Sequence, residues 1–138
     1  MTKPFTYRFK VRYPEIDTQG VVFNARYLDY ADLVVSEYWN DRQIRVSGEG
    51  ALEFHVAHAE VDFRKPIRAN EVIEGRARTT RFGNSSMTTR IELHGAGPDV
   101  DAAGDDLRAE IELVNVHVSL ETGKSPPIPD SVRKALSE

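Results

Sequence analysis

Tyr13-Pro14-Glu15-Ile16-Asp17-Thr18-Gln19-Gly20-Val21-Val22-Phe23-Asn24-Ala25-Arg26-Tyr27 is a charged, turn-prone segment that runs directly into an aromatic-rich helical pattern. From Asn24 the apolar residues recur as Tyr27, Leu28, Ala31, Val34, Val35, Tyr38 and Trp39. That spacing predicts one long amphipathic helix ending near Arg42, with Leu28, Ala31 and Val35 on its core-facing stripe. Asn24 is the expected N-cap, and Asp29 and Asp32 complement the positive end of the helix. A carboxylate just before a helix whose first amides face an apolar pocket joins a base or nucleophile to N–H donors for a developing oxyanion, a combination suited to acyl transfer. A turn aspartate before a helix is equally a cap, so the residues alone leave Asp17 between a structural and a catalytic role.

Outward from this segment the pattern changes to period two. Phe5, Tyr7, Phe9, Val11 and Tyr13 alternate with Thr6, Arg8, Lys10 and Arg12, predicting a strand with one apolar face. Glu53 to Arg64 is a second strand, with Ala57, Ala59, Val61 and Phe63 opposite His58, Glu60, Asp62 and Arg64, and Pro66 ends it. Glu71–Arg81 and Ser86–His94 form an expected antiparallel pair turning at Phe82-Gly83-Asn84-Ser85. Gly95 to Asp106 is an acidic connection carrying Asp99, Asp101, Asp105 and Asp106, expected as an exposed hairpin extension. Leu107 to Leu120 switches parity from Leu107, Ala109, Ile111 and Leu113 to Val114, Val116, Val118 and Leu120. Burial of one half on both faces, at a subunit contact, is the favoured explanation over a bulge. Glu121-Thr122-Gly123-Lys124 is a turn, and Asp130 caps a short helix over 131–136.

Composition sets the outer bounds. A chain of 138 residues with 40% hydrophobic content fits one domain, residues 1–138, with one modest core. The formal charge of −4, from 18 Lys and Arg against 22 Asp and Glu, is mixed in sign along the chain and argues against nucleic acid or an anionic membrane as partner. The chain has no cysteine, which removes disulfides, thiolate nucleophiles and thiolate metal sites from consideration. No stretch reads as a signal or membrane span, so a soluble cytoplasmic protein is expected. His55 and His58 lie three residues apart in a strand pattern and point to opposite faces if pairing stays regular, a poor geometry for joint metal ligation; His94 and His117 are isolated. No metal site is expected.

The element order is compatible with a strongly curved antiparallel sheet wrapped around one long helix, although periodicity does not select this topology over another α+β meander. The segment from Tyr13 to Tyr27 resembles the N-terminal signature of the hot-dog-fold acyl-CoA thioesterases, particularly the 4-hydroxybenzoyl-CoA thioesterase branch. The resemblance continues through Val61-Asp62-Phe63-Arg64-Lys65-Pro66, Arg81-Phe82-Gly83-Asn84-Ser85-Ser86 and Leu120-Glu121-Thr122-Gly123-Lys124, almost the whole chain.

That resemblance implies an α+β hot-dog fold hydrolysing an acyl-CoA thioester to a carboxylic acid and coenzyme A. It implies that Asp17 is the catalytic carboxylate, that Gly20 permits its tight loop, and that the backbone N–H of Asn24 points at the thioester carbonyl. The resemblance would place Arg64, Lys65, Arg81, Ser85 and Ser86 near the phosphates or pantetheine; Gly20, Val22, Phe23 and Tyr27 are expected to bind substrate, and the residues near Phe23, Tyr27 and Asp32 are candidates to line an acyl pocket. The implied active site is shared across a homodimer, alone or as a dimer of dimers. No separate cofactor is implied, because coenzyme A arrives as part of the substrate. Two alternatives stand beside this reading: a noncatalytic module binding acyl-CoA or another hydrophobic ligand, and a hot-dog hydratase or dehydratase.

Overall fold

A computed structural model of the chain describes residues 4–97 and 106–137. Five strands, β1 (Phe5–Lys10), β2 (Phe54–Phe63), β3 (Val72–Phe82), β4 (Ser86–Gly95) and β5 (Leu107–His117), form one sheet in the order β1-β3-β4-β5-β2, with every neighbouring pair antiparallel. Helix α1 (Arg26–Asp41) packs on one face against β1, β3 and β4, and α2 (Asp130–Leu136) closes the end of the fold near the β3–β4 turn. The α+β arrangement expected from the pattern is therefore present, with α1 and the sheet enclosing the core. No helix among the described residues is long and apolar enough to cross a membrane.

Burial explains why α1 sits where it does. Tyr27, Tyr30, Ala31, Val34, Val35, Tyr38 and Trp39 are buried against Ile73, Ala77, Ile91 and Leu93 of the sheet. Gly75 allows the closest approach, since a methyl group there would overlap Val34 Cγ2. Leu28, expected on the core stripe, is instead 39% exposed. Tyr30 takes part in its place, on one stripe with Tyr27, Val34 and Tyr38. Asn24 does not cap the helix: Ala25 is the N-cap, in helical geometry, and no side chain bonds to the first amides.

Other boundaries differ in instructive ways. The alternation of β1 stops at Lys10; Val11 is buried, but Tyr13 opens a 3-10 turn and is 83% exposed. Strand β5 keeps a single parity, with Ala109, Ile111, Leu113, Asn115 and His117 buried and Val114 and Val116 half-buried on the opposite face. It ends at His117, so Leu120 is exposed in the loop rather than continuing a switched strand. Asp130 lies inside the first turn of α2, with Pro129 at the cap. The 82–86 turn falls where expected, closed by the Gly83 N–H donating to the Ser86 carbonyl at 2.7 Å. Asp99, Asp101 and Asp105 of the acidic connection lie outside the described residues.

The register breaks at Thr80 of β3, at Arg108 near the start of β5 and at Ala57 of β2, and the last of these decides where the histidines point. Val56 pairs with Asn115 and His58 with Val114, so Ala57 is an extra residue without a partner on β5. The expectation that His55 and His58 oppose each other fails for this reason. His55 pairs with Val116 and His58 with Val114, and both imidazoles lie on the sheet face turned away from α1.

Candidate active site

Glu15 is the pin of the loop before α1. Its carboxylate accepts the Arg12 N–H at 2.8 Å and the Tyr30 hydroxyl at 3.1 Å, and it faces the Arg12 guanidinium at 3.3 Å. Its own carbonyl accepts the Phe23 N–H at 3.0 Å. One residue thus joins the exit of β1 and the second turn of α1 through its buried side chain and the return of the loop through its backbone. Burial alone would push the carboxyl up, but the bonds from Arg12 and Tyr30 outweigh it and hold it below the ordinary carboxylate range. The same contact, added to burial, pushes the Tyr30 hydroxyl up. Glu15 therefore shapes the loop as an arginine-bound carboxylate.

Asp17 occupies a tight turn built on this pin. The Asp17 N–H donates to the Val21 carbonyl at 2.8 Å and the Gly20 N–H to the Asp17 carbonyl at 3.1 Å, with Gly20 at φ +80°, a conformation glycine adopts without strain. The Gln19 N–H donates to Asp17 Oδ1 at 2.8 Å and the Val21 N–H approaches it at 3.4 Å. Among the described residues nothing donates to Oδ2. The loop therefore fixes the half-buried carboxylate by one oxygen and leaves the other open.

Beyond the turn the chain is clamped again. The Val22 N–H donates to the Ile67 carbonyl at 2.8 Å, and Val21 bridges Arg68. The first turn of α1 uses the Arg26 and Tyr27 N–H groups, which donate to Phe23 and Asn24 carbonyls. The N–H groups of Asn24 and Ala25 have no acceptor among the described residues, so two amides stay open at the positive end of the helix.

The expected binding residues fall into two groups. At the Asp17 end, Gly20 is exposed, Val22 is a core residue, and Phe23 is 53% exposed. Tyr27 is buried with its ring edge-on to Phe63 at 4.8 Å, and burial pushes its hydroxyl up. Arg64 and Lys65 lie near this end, but their charges are engaged: Arg64 meets Glu110 at 2.7 Å and Lys65 meets Asp106 at 3.3 Å. Arg81, Ser85 and Ser86 belong to the β3–β4 end, by α2 and the last turn of α1. The helix between the two ends is about 24 Å long, at 1.5 Å per residue over 16 residues. One chain does not bring the two groups together.

Arg81 opens onto a cleft of about 790 Å³ bordered also by Tyr38, Arg42, Arg78, Thr79 and Arg90. Arg78 and Arg81 have no ion-pair partner among the described residues, whereas Arg90 is bound to Glu110 and Glu92. Arg78, absent from the expected set, shares this rim; the basic run Arg76, Arg78, Arg81 along β3 was its available signal. Phe63 was also missed, because its parity placed it in a strand face and gave no hint of the ring contact to Tyr27. Ser85 spends its hydroxyl on the Ser125 carbonyl at 2.7 Å and so holds the turn. Among the described residues of one chain, no group of three His, Cys, Asp or Glu side chains gathers to hold a metal ion.

Comparison with known proteins identifies the fold and the family. Among curated proteins no sequence matches the chain. A thioesterase solved with coenzyme A and zinc, from Thermus thermophilus, superposes with a TM-score of 0.78 at 27% identity, covering 97% of this chain and 92% of that one. A Pseudomonas aeruginosa protein superposes at 0.83 with 25% identity, covering 98% and 90%. A 1,4-dihydroxy-2-naphthoyl-CoA thioesterase from Synechocystis shares the fold at 0.83 with 19% identity, covering 97% and 96%. The family model for the thioesterase-like superfamily matches residues 11–136, from the end of β1 to α2. The chain belongs to the thioesterase-like superfamily and has the hot-dog fold of that family.

Proposed function

We propose that the protein is an acyl-CoA thioesterase in which Asp17 is the catalytic carboxylate and the Asn24 N–H stabilises the thioester oxygen. The observation that carries this reading is the pairing of a carboxylate held by one oxygen with two unused amides at the start of α1. Family membership supplies the reaction class, and these groups are the ones hydrolysis needs. An ionised Asp17 either activates water or attacks the acyl carbon. The negative charge that develops on the carbonyl oxygen is met by preorganised donors. Phe23, Tyr27 and Phe63 border the acyl group.

The active protein is a homodimer paired through β2. That strand is a ten-residue sheet edge with Val56 and Phe63 about half exposed, and it pairs with a second copy of itself about a two-fold axis. Antiparallel self-pairing sets the Phe63 end of one copy beside the Phe54 end of the other. In each copy the Phe54 end is continuous with His117 of β5 and Ser86 of β4. Arg81, Ser85 and Ser86 of the second copy then lie a few strand spacings from Asp17, about 4.8 Å each. This supports a coenzyme A path from the Asp17 loop to the partner's basic cleft.

Thiol release measured across short, long and aromatic acyl-CoAs tests the proposal, with wild type beside Asp17→Asn. The variant is expected to lose about 10²–10⁴-fold in kcat, the worth of a positioned acid–base group, while still binding thioester. Unchanged hydrolysis by Asp17→Asn overturns the assignment of Asp17. Turnover of an enoyl or hydroxyacyl thioester without thiol release overturns the reaction class.

A further inference from the structure

The bulge at Ala57 creates a row of side chains with a polarity. Because His55 and His58 share the outward face of β2, they are followed there by Glu60 and Asp62, which pair with Glu112 and Glu110 of β5. Imidazoles occupy the first half of the row and carboxylates the second. Antiparallel pairing of β2 with its own copy reverses this order across the two-fold axis, so each histidine half meets a carboxylate half. In the register centred on Ala59, His58 faces Glu60 of the second copy, and the retained bulge brings His55 opposite Asp62. The surface is self-complementary only in this antiparallel sense.

We propose that the centre of this seam is a divalent transition-metal site, formed by His58 and Glu60 from each of two copies. The inference rests on the homodimer of the proposed function. Four outward side chains then surround the axis, spaced about 5 Å across the strands and about 7 Å along them. Within one copy His58 Nε2 and Glu60 Oε1 already stand 3.8 Å apart. Two ligand atoms on a tetrahedral zinc ion, with bonds of about 2.0–2.1 Å, are about 3.3 Å apart, so a small rotation of exposed side chains completes the chelate. Both are free to rotate, being 56% and 67% exposed.

Charge supplies an independent reason for a cation here. Glu60 stands directly opposite Glu112, and like charges facing each other across a ladder destabilise it. Dimerisation through β2 brings a second Glu60 and Glu112 towards the same axis. A divalent ion shared by two imidazoles and two carboxylates offsets that repulsion and ties the copies together. One copy offers two ligands, and the site is incomplete without the other.

The test is a zinc titration of the full chain, stripped with chelator, followed by calorimetry and sedimentation velocity, with cobalt as a spectroscopic substitute. The expected result is one zinc per two chains, a larger dimer fraction with zinc, and the visible absorption of tetrahedral cobalt. His58→Ala and Glu60→Gln each lose metal uptake, and His55→Ala keeps it. Uptake of one zinc per chain, or wild-type uptake by His58→Ala, overturns the site. A dimer that hydrolyses thioesters yet takes up no zinc refutes the metal site and leaves the proposed function standing. A chain that stays monomeric with and without zinc refutes the site together with the shared active centre.

Discussion

Glu15→Ala removes the pin beneath the Asp17 loop, and its cost follows from three contacts. The variant leaves the buried Tyr30 hydroxyl and the Arg12 N–H without their acceptor, at about 1–3 kcal/mol for each group left unsatisfied. The Arg12 guanidinium is 77% exposed, so its ion pair contributes only about 0–1 kcal/mol. Allowing for water at the Arg12 amide, the total is about 2–4 kcal/mol. For 138 residues the unfolding entropy is about 0.29 kcal/mol/K, so Tm falls by about 7–14 °C in differential scanning calorimetry near pH 7. A fall below about 2 °C refutes the view that Glu15 holds the loop.

The same variant has a signed pH dependence. Burial works to raise the Glu15 carboxyl, but the Arg12 backbone, the Arg12 side chain and Tyr30 together lower its folded pKa beneath the ordinary 4.5. A depressed carboxylate contributes stability that is complete above the unfolded pKa and is lost as pH falls through the folded one. The gap in Tm between wild type and Glu15→Ala is therefore expected to narrow as pH drops below about 4.5. A gap of constant size from pH 7 to pH 3 shows that packing, not the charged hydrogen bonds, sets the loss.

Three further outcomes are expected. Gly75→Ala forces a methyl group into Val34 Cγ2 and costs about 1–3 kcal/mol in chemical denaturation; adding Val34→Ala recovers part of it, and no recovery means that this contact is not the cause. Tyr38→Phe removes the hydroxyl that accepts the Thr79 N–H at 3.2 Å, where β3 runs on beyond its pairing with β1, at about 1 kcal/mol. Amide exchange at Thr79 then accelerates, and unchanged exchange refutes the edge-capping role. Arg81→Ala raises KM for acyl-CoA while leaving kcat near wild type if the basic cleft receives coenzyme A; an unaltered KM removes Arg81 from the path.

Local chemistry made much of the fold legible. The helix shows itself because Tyr27, Ala31, Val34, Val35 and Tyr38 recur at a spacing that only α1 satisfies, and the Gly83-Asn84 turn because two strand patterns meet there. The loop of Asp17 and Gly20 is similarly local: every bond that shapes the turn itself joins residues from 17 to 21. The start of α1 escaped the same logic: Asn24 has a good capping side chain, yet the helix begins after Ala25 and no side chain bonds to its first amides.

What stayed hidden depends on counting across strands rather than along the chain. One unpaired alanine at position 57 turns His55 to the face of His58, and alanine at a bulge has no composition that distinguishes it from alanine in a regular ladder. Arg64 and Arg81 look alike as cations in the sequence, yet one is bound to Glu110 and the other stands unpaired, among the described residues, at a cleft beyond the far end of α1. Charge availability is a property of register, because register decides which carboxylate reaches which arginine. Distance along the helix bears equally on the catalytic proposal. Asp17 lies at one end of a helix about 24 Å long and Arg81 at the other, so the proposed site draws on two separate regions of a single chain. In the proposed dimer a two-fold axis through β2 joins these unlike regions from opposite copies, so loss of dimerisation should raise KM even in a chain whose Asp17 loop is intact. Wild-type KM in a monomeric β2 variant would show that each chain binds coenzyme A by itself.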